Sequence, residues 1–234
     1  MIREQSIWVI LPNAGFGTRF GSSIPKQYIT VRGKMIIEWT LDVFSKLDYL
    51  DGIIVANSKN DKYWDRVNYT GKIPLYVVEG GKERFGSVLN ACEGVISHHG
   101  PENTWVLVHD VARPIISADS IHSLVEYCLN SKVAGILAKK VTDTIKSVID
   151  GKIVTTVDRT LLWQAQTPQF FPLGKLMYAM NEANRHGVQL TDESSAFERC
   201  GYPVHVINSP KNNLKVTFPE DFDFIDFIKS ANSE

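Results

Sequence analysis

The segment Pro12-Asn13-Ala14-Gly15-Phe16-Gly17-Thr18-Arg19-Phe20-Gly21 follows directly on a short apolar run and is rich in small residues. Where no Cβ stands in the way, backbone N–H groups can approach a chain of phosphates and cradle it. Arg19 lies inside this loop, and Lys26 follows Pro25, whose fixed φ narrows where the lysine can point. Two cations beside such a loop suit a polyphosphate, because transfer at phosphorus requires its charge to be neutralised in the transition state. Two familiar phosphate loops do not fit. The dinucleotide fingerprint wants a glycine where Phe20 stands, and the Gly-Lys-Ser/Thr of a P-loop is missing. A Gly-rich turn after a first strand can also be no more than a tight connection.

A second glycine turn, Glu79-Gly80-Gly81-Lys82-Glu83-Arg84-Phe85-Gly86-Ser87, again joins an apolar run to a helical pattern. Exposed backbone there can read a base edge, with Arg84 and Ser87 adding side-chain hydrogen bonds, or the turn can simply be a helix entry. His109-Asp110-Val111-Ala112-Arg113-Pro114 puts Asp110 where a ribose hydroxyl or a magnesium-bound water would lie, or where it caps a turn. Further polar clusters are Asp143-Thr144, Asp158-Arg159, Trp163-Gln164-Ala165-Gln166-Thr167-Pro168-Gln169 and Thr191-Asp192-Glu193. Thr191 is a natural helix N-cap. Lys215, between Leu214 and Val216, faces away from both in an extended segment, toward solvent or toward a site. There is no Gly-x-Ser-x-Gly elbow, and the histidines at 98, 99, 109, 122, 186 and 205 lack H-E-x-x-H spacing, which sets aside serine and metal hydrolases.

Positioning these groups takes a regular scaffold. Apolar runs at 7–11, 52–56, 75–78, 105–108 and 135–138 read as strands, and 34–47, 85–96 and 120–129 carry helical stripes. The alternation predicts an α/β fold with a mostly parallel sheet flanked by helices, its ligands beyond the carboxyl ends of the strands. Residues 139–158 alternate around Asp150-Gly151 as an inserted hairpin, which is marginal by itself and must pack on something, such as a second copy. A helix from Leu173, a helix over 191–199, strands at 204–207 and 214–217 and a last helix from Pro219 complete one domain over 1–234.

Composition bounds the partners. With 234 residues, 44% of them hydrophobic, and a formal charge of −1, the chain has material for a core, and a strongly basic nucleic-acid binder is excluded. Residues 7–11 fall far short of the roughly 20 needed to cross a bilayer, so no membrane or secretory segment is expected. Cys92, Cys128 and Cys200 form no C-x-x-C pair, which speaks against a disulfide framework or zinc site and for a reducing cytoplasm.

Taken in order, the segments from Pro12 to Arg19, Pro25-Lys26-Gln27-Tyr28, Gly80-Gly81 with Arg84 and Ser87, and His109 to Pro114 resemble one family. So do Asp143-Thr144, Thr156-Val157-Asp158-Arg159, Gln166-Thr167-Pro168-Gln169, Thr191-Asp192-Glu193 and Asn213-Leu214-Lys215-Val216-Thr217. It is the 2-C-methyl-D-erythritol 4-phosphate cytidylyltransferases of the non-mevalonate isoprenoid pathway. The resemblance implies a Rossmann-like nucleotidyltransferase fold and a homodimer clasped by an arm over about 139–160 that reaches the neighbour's site. It implies a magnesium-dependent reaction in which a phosphate oxygen of methylerythritol 4-phosphate attacks the α-phosphorus of CTP and pyrophosphate leaves. By the same resemblance Arg19 and Lys26 stabilise the transition state, while Lys215 and the other subunit's Arg159 position the acceptor phosphate. Ala14, Gly15, Gly81, Arg84 and Ser87 hold the nucleotide; Asp110, Arg113, Thr144, Thr167 and Thr191 hold the ribose or the acceptor polyol. Magnesium, or another divalent cation, sits mainly on the CTP phosphates, with Asp110 as the candidate protein ligand. Asn13 replaces the family's usual Ala and Val111 a smaller residue, so both nucleotide-lining positions are bulkier. The rival readings are a ribitol 5-phosphate cytidylyltransferase of teichoic acid synthesis and a nucleotide sensor with an inactive site.

Overall fold

The computed structural model describes residues 2–15, 24–99, 103–209 and 213–231. Strand β1 (Ser6–Pro12) is apolar on both faces and buried along nearly its whole length, as a central strand of a helix-covered sheet must be. The two-residue strands β2 (Thr30–Val31) and β3 (Lys34–Met35) pair around Arg32-Gly33, both at positive φ, and deliver the chain into α1 (Ile36–Phe44). The helix expected over 34–47 therefore starts later, because Lys34 and Met35 are spent on this ribbon.

Next come β4 (Gly52–Asn57), β5 (Leu75–Glu79), α2 (Arg84–His99), β6 (Thr104–Val108), α3 (Ala118–Ser131) and β7 (Ala134–Lys140). An arm of β8 (Ile145–Ile149) and β9 (Lys152–Val157) forms its own two-stranded sheet, with Asp150 and Gly151 at φ +48° and +76° in the turn. β10 (Trp163–Pro172), α4 (Leu173–Arg185), α5 (Glu193–Arg199), β11 (Val204–Asn208) and α6 (Asp221–Ala231) follow.

The seven-stranded sheet runs β11-β7-β10-β6-β1-β4-β5. Every neighbouring pair is parallel except those of β10, which lies antiparallel to both β6 and β7. Alternation along β1 sends Ile7, Val9 and Leu11 toward Leu41, Phe44 and Leu124 on one face, and Trp8 and Ile10 toward Val88 and Phe171 on the other. From β1 the chain first builds outward to β4 and β5 and then crosses back to β6. That reversal opens a crevice at the carboxyl ends of β1 and β6.

Two expectations are corrected, and one segment left without an element gains one. Residues 214–217 form no strand: they pair with no strand of the sheet, and the Val216 N–H donates instead to the Ala112 carbonyl, itself in a loop. The α5 cap is Asp192, whose carboxylate accepts from Ser195 N–H at 3.0 Å, so Thr191 is not the cap. The polar run around residues 163–169 is a sheet strand, because β10 fills the slot between β6 and β7. Among the described residues no helix is long and apolar enough to cross a membrane.

Candidate active site

A cavity of about 210 Å³ opens at the crevice. The end of β1 contributes Asn13, Ala14 and Gly15; the turn before β2 adds Lys26 and Gln27; the loop into α2 and its first turn add Gly81, Arg84 and Ser87. Asp110 and Val111 come from the end of β6, and Lys215 from the segment before α6. A Cβ on Gly80 would lie 2.6 Å from the Ala14 Cβ, so glycine there is what lets the two loops close on each other. Ser87 is spent within its own loop, accepting from Gly81 N–H at 3.1 Å and donating to the Glu83 carbonyl at 3.1 Å.

Asp110 is the electrostatic hub. Its carboxylate lies 2.8 Å from Lys215 Nζ, 3.2 Å from Arg84 Nε and 3.5 Å from Arg113 Nε. Burial alone would favour the neutral acid, but Arg84, Lys215 and Arg113 outweigh it and hold the group well below the usual carboxylate range. Arg84 is gripped from its other end by the buried Glu193, Nη1 to Oε1 at 2.5 Å. Burial opposes the Arg84 charge, and the two carboxylates more than restore it. Arg113 lies behind the cleft, donating through Nη1 to the Asn213 carbonyl at 2.8 Å.

Beneath Asp110 a chain of buried hydrogen bonds fixes the end of β6. Asp110 N–H donates to Thr167 Oγ1 at 3.0 Å, and Thr167 Oγ1 lies 3.2 Å from His109 Nδ1. His109 Nε2 is 3.2 Å from the Arg113 carbonyl, a pure acceptor, so the proton belongs on Nε2 and Nδ1 accepts from Thr167. Burial of the ring pushes the His109 pKa down to about 3, with Arg113 adding to the effect and Asp110 opposing it. The imidazole is therefore a neutral structural group.

The remaining expected residues divide. Thr167 is buried behind the cleft, and Thr191 lines a small neighbouring cavity with Arg84 and Glu193. Thr144 and Arg159 are exposed on the arm segment, with Arg159 Nη1 donating to the Thr142 carbonyl, and neither lines the cleft of its own chain. Arg19 lies outside the described residues. Lys26 and Lys215 bring positive charge to the cleft beside the Arg84 pairings, a balance suited to a polyanion.

The family model described as 2-C-methyl-D-erythritol 4-phosphate cytidylyltransferase matches residues 7–230. The chain belongs to that family. A relative of that name from Haemophilus influenzae is 42% identical over 229 residues, covering 97% of this chain and 98% of its own. A solved structure described as 4-diphosphocytidyl-2C-methyl-D-erythritol synthase superposes with a TM-score of 0.84 at 32% identity, covering 96% of this chain and 98% of that one. The 2-C-methyl-D-erythritol 4-phosphate cytidylyltransferase of Francisella tularensis gives 0.81 at 37% identity, with coverages of 95% and 99%. This chain is thus a cytidylyltransferase, a nucleotidyltransferase enzyme with the fold of that group, and the ribitol phosphate and inactive-sensor readings are not favoured.

The geometry of the site also shows what a residue-by-residue reading of the sequence passes over. Glu193 sets Arg84, and Asn213 ties Arg113 and the Thr167 carbonyl together through bonds of 2.8 Å, yet neither carries a local signal beyond its place in a polar run.

Proposed function

We propose that this cleft transfers the cytidylyl group of CTP to 2-C-methyl-D-erythritol 4-phosphate, giving 4-diphosphocytidyl-2-C-methyl-D-erythritol and pyrophosphate. The observation that carries the reading is a polyanion-sized cleft whose lining holds Lys26, Arg84 and Lys215 while the adjacent histidine is buried, neutral and fully engaged. A phosphate monoester is already an anionic nucleophile and needs no general base. Its oxygen attacks the α-phosphorus in line, the P–O bond to the β-phosphate breaks, and pyrophosphate leaves with the electron pair. The protein's work is orientation and charge neutralisation.

In this reading Ala14, Gly15 and Gly81 bring backbone to the nucleotide, and Val111 packs beside it. Lys26, with Arg19, meets the triphosphate. Lys215 leans on Asp110 and is positioned to meet the acceptor phosphate, and Arg113 braces Asp110 from behind. The protein's own groups fit a divalent cation only through the substrate. Among the described residues no three His, Cys, Asp or Glu side chains cluster as a metal cage, and the Asp110 oxygens face Arg84, Arg113 and Lys215. Magnesium carried on the CTP phosphates supplies further neutralisation of charge there.

The arm supports a homodimer. Ile149, Ile153 and Leu161 are 63%, 65% and 87% exposed on or beside a hairpin that has no third strand of its own. A second copy covering this surface would bring Arg159 and Thr144 to the neighbour's cleft to hold the acceptor, with Thr191 in the adjoining cavity and Thr167 bracing the end of β6 from behind. The substrates are small soluble anions and the cysteines are free thiols among the described residues, which suits the cytoplasm.

The test is pyrophosphate release from CTP and magnesium with methylerythritol 4-phosphate and ribitol 5-phosphate in parallel. Release with the former is expected; preference for ribitol phosphate, or release with neither, overturns the reading.

A further inference from the structure

The turn that carries Lys26 is tied to the end of β1 by the two side chains that follow it. Gln27 is 6% exposed, and its Nε2 lies 3.2 Å from the Asn13 carbonyl oxygen and 3.1 Å from that of Gly15. Both partners can only accept, so the amide must turn both its N–H bonds toward them. One side chain thereby claims two carbonyl oxygens, two residues apart, in the segment that lines the cleft.

Tyr28 anchors the same turn from the other side. Its hydroxyl accepts from Asn13 Nδ2 at 2.7 Å and donates to Asp61 Oδ2 at 2.8 Å, and Asn13 Nδ2 also reaches Asn57 Oδ1 at 3.1 Å. Burial, then Asp61, push the Tyr28 hydroxyl far above its ordinary range, so it stays a donor. Lys26 Nζ donates to the Val216 carbonyl at 2.6 Å. Three consecutive residues therefore reach three separate segments, and shifting the turn would strand several buried polar groups. Asn13, read from sequence as a bulkier nucleotide-lining residue, spends its amide nitrogen on this network, while its Oδ1 is buried without a hydrogen-bond partner.

We propose that Gln27 is a positioning residue for the triphosphate of CTP. By holding the Asn13 and Gly15 carbonyls it takes two acceptor oxygens away from an incoming polyanion. Because a peptide N–H points opposite to its C=O, the bond to the Asn13 carbonyl also fixes the direction of the Ala14 N–H. The same contacts set the distance between the cradle and the Lys26 ammonium. The inference rests on reading the cleft as the CTP site.

Gln27→Met conserves volume and carries no donor. In the full-length protein with magnesium, titration calorimetry should show its CTP affinity reduced by about tenfold or more, while CMP, which lacks the β- and γ-phosphates, changes by less than about threefold. The KM for CTP should rise in step, with the KM for the acceptor at saturating CTP unchanged. Gln27→Glu is the second variant. Burial beside two carbonyl oxygens raises the pKa of this carboxyl above its ordinary value of about 4.3, and once protonated it regains one donor, so its CTP affinity relative to wild type should partly recover on going from pH 8 to pH 5. Equal losses of CTP and CMP, or no change in either, overturn the inference. Wild-type protein that fails to bind CTP overturns the reading of the cleft and the inference with it.

Discussion

Asp110 collects one cation from its own turn and two from distant parts of the chain, the start of α2 and the segment before α6. Removing its charge leaves Arg84, Lys215 and Arg113 facing one another. Asp110→Asn is expected to cost about 2–3 kcal/mol in urea unfolding, less than a fully buried pair because Arg84 and Lys215 are each about a third exposed. It should also lower kcat/KM at least about a hundredfold, since Lys215 loses its orientation. His109 gives a pH dependence of opposite origin. The folded ring stays neutral down to about 3, while the unfolded chain protonates near its ordinary 6.5. The unfolded state therefore binds the extra proton as pH falls through that window, and stability drops by about 1.4 kcal/mol per pH unit below 6.5. His109→Gln should show that much less steepness in urea midpoints between pH 6.5 and 4.5; identical slopes would remove His109 from the account. At this scale the sequence was legible where a side chain brings its own charge to the cleft, as with Asp110 at the end of β6, Lys26 after Pro25 and Lys215 between two apolar residues. It was opaque where a side chain acts on backbone carbonyls or on another charge. Gln27 and Glu193 are of that kind, because their partners are fixed by the folded sheet and not by spacing.

The strands of the parallel half were readable because a strand buried on both faces must be apolar throughout, as residues 7–11 and 105–108 are. β10 was not, since Gln164, Gln166, Thr167 and Gln169 break any apolar pattern. The pairing of β10 with β7 shifts register between Ala165 and Gln169, which lifts Thr167 off the ladder and turns its hydroxyl to Asp110 and His109. Irregularity of that sort beside a site is what re-aims a side chain. The segment at 214–217 misled in the other direction: its alternation is real, and Lys215 does face the cleft, but no sheet edge lies beside it to make a strand. The contact of the two cradle loops makes an element-scale prediction. Gly80→Ala places a Cβ against Ala14 and must push the loops apart. The KM for CTP should rise by roughly tenfold, with a stability loss of about 1–3 kcal/mol; an unchanged KM would show that the loops separate freely.

For the whole molecule the reversal of strand order after β5 puts the Asn13–Gly15 cradle and Asp110 at neighbouring strand ends, which is where an alternating α/β pattern places a ligand. What a single chain leaves open is the acceptor side of the cleft, where Thr144 and Arg159 belong by resemblance but do not line their own cavity. If the arm serves the other subunit, each site takes Lys26 from one chain and Arg159 from the other. Lys26→Ala and Arg159→Ala homodimers should then both be inactive. A heterodimer of the two has one site with both defects and one with neither, so purified heterodimers should regain about half the wild-type rate. Were Arg159 to act on its own chain, both heterodimer sites would carry one defect and no activity would return. Ile153→Asp offers the independent check, because this side chain is 65% exposed in the monomer and its replacement leaves the core intact. Sedimentation should show the dimer weakened, and activity should fall with dilution in the same concentration range as dimer dissociation. Activity that persists in the monomer would leave the arm as a surface feature with no part in the site.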